Sequence, residues 1–204
     1  MSLISRVQNI LLRPKEEWGV IDAEPATIGG IYTSYVLILA AIGPICGLIG
    51  EQVIGINLLG VTYKPPIVYS VGQAVIFYVM SLVSVYISAL VIDALAPSFG
   101  GTKDSVKAFK VAAYSATAAW LCGVFRIVPM LGFLAILGLY SLYLLYLGLP
   151  RLMRVSEDKA IGYTVVVIIV QIVLYIVVGV LVGILVASFF GSMLLAGGAA
   201  TVRY

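Results

Sequence analysis

The sequence predicts an all-α integral membrane protein: a bundle of five transmembrane helices, N-terminus inside and C-terminus outside, preceded by a short amphipathic interfacial helix. Three observations predict it. The chain is 62% hydrophobic and only 10% charged, with a mean hydropathy of +1.15, whereas a soluble domain builds its polar shell from about 25% charged residues. Its apolar residues gather into four long stretches, 27–50, 67–92, 111–149 and 162–190. Almost all of its Lys and Arg fall in the gaps, and every second gap is rich in them.

Residues 1–26 form the N-terminal segment, expected to be cytoplasmic, and residues 27–204 the five-span domain. The first 26 residues lack a continuous apolar run, so no cleavable signal peptide is expected. Leu3, Val7, Ile10 and Leu11 recur at helical spacing. Ser2 can cap this helix and Pro14 is expected to end it. Arg6, Gln8, Asn9 and Arg13 occupy its other faces, and Trp18 follows where an interfacial aromatic belongs. Such a helix can dock on a surface or cover the cytoplasmic end of the bundle, and the covering role is favoured.

A span needs roughly 20 mostly apolar residues to cross about 30 Å of hydrocarbon. The first, second and last stretches each supply one. The stretch 111–149 is twice that length and holds one charge, Arg126, followed by Pro129. It divides into helices over 110–125 and 130–149, joined by a tight turn. Basic loops stay cytoplasmic. Arg6, Arg13 and Lys15 precede the first span, Lys103, Lys107 and Lys110 follow the second, and Arg151, Arg154 and Lys159 follow the fourth. Those nine outweigh Lys64, Arg126 and Arg203 in the alternate segments, which complete the 12 basic residues. Five spans preserve this alternation; four or six break it.

Glu16, Glu17, Asp22, Glu24, Asp93, Asp104, Glu157 and Asp158 nearly balance the cytoplasmic basic residues. Nucleic acid is therefore not an expected partner, since binding it takes a basic face. Nor is there the cluster of about 4–8 adjacent Lys or Arg that holds anionic lipid.

Chemistry-bearing motifs are sparse. The chain has no His, so the commonest general base is missing, and Cys46 and Cys122 alone make no metal site. A disulfide between them requires the first and third spans to be neighbours; inert thiols are favoured. Ser156 and Lys159 match a Ser-x-x-Lys pattern, but in a charged loop without partner motifs. No catalytic residue, cofactor or metal is expected.

Packing signals are stronger. Gly43/Gly47 and Gly179/Gly183 have G-x-x-x-G spacing, and residues 112–120 are small nearly all round, which lets helices approach in lipid. The third span is expected at the centre of the bundle and the Val-, Ile- and Leu-rich fifth at its lipid-facing side. Gln73, Ser81, Ser84 and Ser88 share one face of the second span, and Tyr140, Tyr143 and Tyr146 recur on the fourth. Gln171 is the most deeply placed strongly polar side chain of the last span, while Asp93 and Arg126 lie at span ends. The candidate polar intramembrane residues are thus Gln73, Ser84, Arg126, Tyr143 and Gln171. They either line a path or join helices by hydrogen bonds worth about 0.6 kcal/mol each, and the second role is favoured.

Residues 113–120, 139–150 and 159–163, with the opening Arg6–Pro14 run and Trp18, resemble the bacterial branch of the Yip family. These are five-span membrane proteins related to the Ypt/Rab-interacting proteins. The resemblance covers residues 5 to 185. It implies a membrane-organising or partner-binding role without known catalysis. Eukaryotic members carry a long cytoplasmic N-terminal region and bind small GTPases in vesicle traffic. The Asp-Leu-Tyr-Gly-Pro element of that region does not occur here, so GTPase binding is not carried over. The sequence is therefore read as a non-enzymatic protein of a bacterial cytoplasmic membrane. It organises the lipid bilayer or binds another membrane protein or itself. The alternative is a small-solute or ion permeation protein built on the second-span serines, Gln171 and the fourth-span tyrosines.

Overall fold

Apolar helices of membrane length account for most of the chain. The computed structural model describes residues 2–58 and 61–200. Five helices in it are long and apolar enough to cross a bilayer: Ile28–Val53, Ile67–Phe99, Ser105–Ile127, Met130–Met153 and Asp158–Ser188, here the first to fifth spans. The second to fifth spans close into a ring, second on third, third on fourth, fourth on fifth and fifth on second. The first span lies outside the ring, in the groove between the second and third. The third span is the most enclosed of the five and the fourth and fifth the least, as the small residues of the third and the branched residues of the fifth lead one to expect.

The first span is joined to its neighbours by tyrosines. It widens into a π turn at Tyr32–Val36, the kind of local bulge that re-aims side chains. The Tyr32 hydroxyl donates to the Leu82 carbonyl. The Tyr35 hydroxyl lies 2.7 Å from Thr117 Oγ1. Tyr78, on the second span, donates back to the Leu37 carbonyl at 2.9 Å. Lipid offers these hydroxyls nothing, so each finds a backbone or side-chain oxygen. Towards the far end, Gly43 meets Gly123 of the third span. A Cβ on Gly123 would sit 2.6 Å from Gly43 Cα, so only glycine permits this approach.

Several details differ from expectation. Pro14 ends one helix and starts another: α1 (Leu3–Leu12) is followed by α2 (Pro14–Ala23), with Pro14 in its first turn. Proline suits that place because its missing N–H needs no partner there. The third span begins at Ser105, one turn earlier than predicted, because the Asp104 carboxylate accepts from Lys107 N at 3.0 Å and caps it. The link after the first span holds a short antiparallel hairpin, β1 (Ile56–Leu58) and β2 (Val61–Tyr63), paired Ile56 to Tyr63. Gly179 and Gly183, spaced to seat a neighbouring helix, do not do so within the chain. A Cβ at either would meet nothing within 4 Å among the described residues.

Candidate functional site: a cavity inside the helix ring

The ring is solid at the end that carries the amino-terminal helices. There Ile92, Phe109, Leu144, Leu149 and Tyr163 are fully buried in one apolar cluster. Tyr163 stacks on Phe99 with ring centroids 5.1 Å apart and donates to the Ile92 carbonyl at 2.5 Å. Toward the hairpin end the packing loosens. A cavity of about 280 Å³ opens between the four ring helices, running along the second span from Phe77 to Ile92. Its walls are mostly apolar. Ser81, Ser84 and Ser88 of the second span, Ser115 and Trp120 of the third, Ser141 of the fourth, and Gln171 and Tyr175 of the fifth line it.

Most of these hydroxyls are spent locally. Ser84 donates to the Met80 carbonyl at 2.7 Å and Ser115 to the Ala112 carbonyl at 3.3 Å. Ser141 Oγ accepts from Ala119 N at 3.0 Å. Ser88 lies 2.7 Å from the Ser84 carbonyl and 2.9 Å from Gln171 Oε1, so it joins the second span to the fifth. Other polar groups of the wall are left over. Ser81 Oγ is buried without a partner, and the Gln171 amide has no partner beyond Ser88 among the described residues.

The other candidates lie elsewhere. Gln73 and Arg126 share a crevice with Glu51 on the outer side of Phe77, between the first three spans. The Arg126 guanidinium lies 5.1 Å from the Phe77 ring centroid and fills the space beside Gly47. Tyr143 is 40% exposed on the outside of the ring, its ring 5.4 Å from that of Tyr140. The structure thus brings Ser84 and Gln171 together, puts Gln73 with Arg126, and leaves Tyr143 with neither. The fourth-span tyrosines do not line the cavity. Tyr140 instead donates to the Leu11 carbonyl at 2.9 Å and anchors α1.

A second polar centre was not legible as such. Arg6, placed by the sequence off the apolar face of α1, is 5% exposed and Glu17 is 3% exposed. Arg6 pairs with both Glu17 and Glu24 and lies 5.5 Å from the Tyr114 ring centroid. Lys110, counted with the basic residues between the second and third spans, is buried; its ammonium donates to the Ile21 and Glu24 carbonyls at 2.6 and 2.5 Å. Lys107 pairs with Asp22 at 2.7 Å. Trp18, expected at the membrane interface, is fully buried. Gly148 leaves the hollow it fills, since a Cβ there would fall 2.6 Å from Trp18 Cζ2. So α1 and α2 cover the bundle end and are pinned to it by charge. The spacing of Arg6 from Glu17 and Glu24 could not reveal a pairing made by a turn at Pro14.

Cys46 and Cys122 are free thiols, the first buried and the second half-buried, although the first and third spans are neighbours.

A model of the Yip1 domain matches residues 9–179. The chain belongs to the Yip1 domain family. The family match runs from within α1 into the fifth span, so it takes in both the amino-terminal cover and the ring. Two curated relatives, the inner membrane protein YohC in two strains of Escherichia coli, are each 29% identical over 166 residues, spanning 79% of this chain and 85% of theirs. No solved structure matches. With five membrane-length helices and an inner membrane relative, this Yip-family chain is a multi-pass inner membrane protein.

Proposed function

We propose that this Yip-family chain is a non-enzymatic scaffold that organises membrane or binds another membrane protein, and that it does not carry solute across the bilayer. The observation that carries this reading is the dispersal of its polar span residues. Gln73 and Arg126 lie on one side of Phe77, Ser84 and Gln171 on the other, and Tyr143 outside the ring. A path for a polar solute needs such groups in sequence along one water-filled route, because hydrocarbon satisfies none of them. Here the cavity is followed by the apolar plug of Phe109, Leu144, Leu149 and Tyr163. The fourth and fifth spans are mostly unburied in the single chain, which suits contact with lipid or with another membrane protein. The amino-terminal helices belong on the cytoplasmic side in this reading, because nine of the 12 basic residues lie in the segments on that side.

Purified protein in liposomes tests it by uptake of protons, monovalent ions and small neutral solutes. No saturable flux is expected, in the wild type or in Gln171→Leu. Saturable flux that disappears in Gln171→Leu while the fold survives moves the chain to the permeation class.

A further inference from the structure

The cavity holds about 280 Å³, just under the range of about 300–1,000 Å³ typical of small-molecule sites. Its lining runs from Phe77 to Ile92 on the second span, from Ala112 to Trp120 on the third, from Ser141 to Leu145 on the fourth and from Gln171 to Val182 on the fifth. A mostly apolar space of this volume between helices suits part of one hydrocarbon chain. None of its described lining residues is charged. A carboxylate or ammonium buried there would have no counter-charge, at a cost that excludes it. Yet the wall is not wholly apolar. The Gln171 amide makes one hydrogen bond, with Ser88 Oγ, whose single proton also faces the Ser84 carbonyl, so at least one amide N–H is left uncommitted, and the Ser81 hydroxyl is buried unpartnered in the same wall. An amide with an uncommitted N–H at that depth calls for an oxygen from outside the chain.

We propose that the cavity binds part of one hydrocarbon chain of a neutral lipid bearing an uncharged oxygen group, with Gln171 Nε2 donating to that oxygen. Entry is lateral, past Gly179, which lines the cavity and has nothing within 4 Å of where a Cβ would be. Trp120 lies in the wall as a reporter. Two lipids offer this chemistry, an acylglycerol through its ester and an isoprenoid-type quinone through its ring carbonyl.

The site makes its own prediction for the third span. In a third span placed at the centre of the bundle, enlarging Ala116 or Ala119 would be expected to overpack the core. Both residues in fact line the cavity, so leucine at Ala116 enters empty space and blocks the site.

The test uses the full chain in detergent, with Trp18→Phe to leave Trp120 as the one remaining tryptophan of the two. One arm titrates a monoacylglycerol with a brominated chain, the other a benzoquinone with a ten-carbon tail. Saturable quenching is expected in at least one arm, and the arm that responds identifies the source. Gln171→Leu should weaken it about fivefold, the loss of one ordinary hydrogen bond. Ala116→Leu should abolish it with helical content and melting unchanged. If Trp18→Phe does not fold, the same titrations on the wild type are read as the difference from Ala116→Leu. Non-saturable quenching equal in wild type, Gln171→Leu and Ala116→Leu is partition into the micelle and overturns the proposal. The solute-uptake assay is separate: flux there would end the scaffold reading and leave this site standing.

Discussion

Removing Arg6 alone should harm the protein more than removing Arg6 and Glu17 together. The Arg6 side chain is 6% exposed and Glu17 4%, whereas Glu24, the other partner, is 41% exposed. Arg6→Met leaves the Glu17 carboxylate buried with no cation, and breaking a buried pair in this way costs about 3–5 kcal/mol. Glu17→Leu is milder, about 1.5–3 kcal/mol for a charged hydrogen bond, because Arg6 keeps Glu24. In the double variant no charge is stranded, since Glu24 reaches water. Replacing a buried pair by apolar groups is neutral or stabilising by about 1–4 kcal/mol, so most of the Arg6→Met loss should return. The coupling in the double-mutant cycle should exceed about 2 kcal/mol. Unfolding in mixed micelles with increasing dodecyl sulfate measures it, followed by the fluorescence of Trp18 in its pocket. An Arg6→Met loss under about 1 kcal/mol would equal a surface ion pair and refute the reasoning, as would additive single losses.

Two further outcomes follow from packing and charge. Gly123→Ala should destabilise the fold by about 1–3 kcal/mol, since its Cβ would meet Gly43 Cα at 2.6 Å, while Gly183→Ala, with nothing within 4 Å, should be neutral or gain up to about 1 kcal/mol; equal effects in the same unfolding assay would show that the first and third spans do not meet at these glycines. On a background lacking Cys46 and Cys122, a cysteine at Thr102 should react with an impermeant maleimide only from the cytoplasmic side and one at Lys64 only from outside, and the reverse labelling would invert the proposed orientation.

The candidate site was half legible. Ser81, Ser84 and Ser88 fall on one face by helical period alone, and that face does line a cavity. Gln73 shares the face by counting, yet it lies beyond Phe77 with Arg126, because the first span covers that part of the second. Tyr140 reads as part of a stripe with Tyr143 and Tyr146, but its hydroxyl is taken by the Leu11 carbonyl. Tyr32, Tyr35, Tyr78 and Tyr163 join helices through their hydroxyls, and none of them is among the polar intramembrane candidates of the sequence. The signal was available: a hydroxyl within a span must find an oxygen. Which oxygen it finds was not.

The sequence by itself determined the solvent and the count of spans. A bilayer imposes a minimum apolar length and a charge asymmetry on a chain, and both are one-dimensional quantities that survive in the order of residues. The sequence marked Gly43/Gly47 and Gly179/Gly183 alike as places for close approach, and only the structure decided that Gly43 meets Gly123 while Gly179 and Gly183 meet nothing within 4 Å among the described residues. Tertiary structure alone decided that Arg6 faces Glu17, that Trp18 fills the hollow at Gly148, and that Gln171 meets Ser88 but leaves an amide N–H uncommitted in the cavity wall. These pairings join residues on different helices. Rotation and register between helices are set by the summed packing of whole surfaces, and no local pattern in one segment records which face of another it will meet.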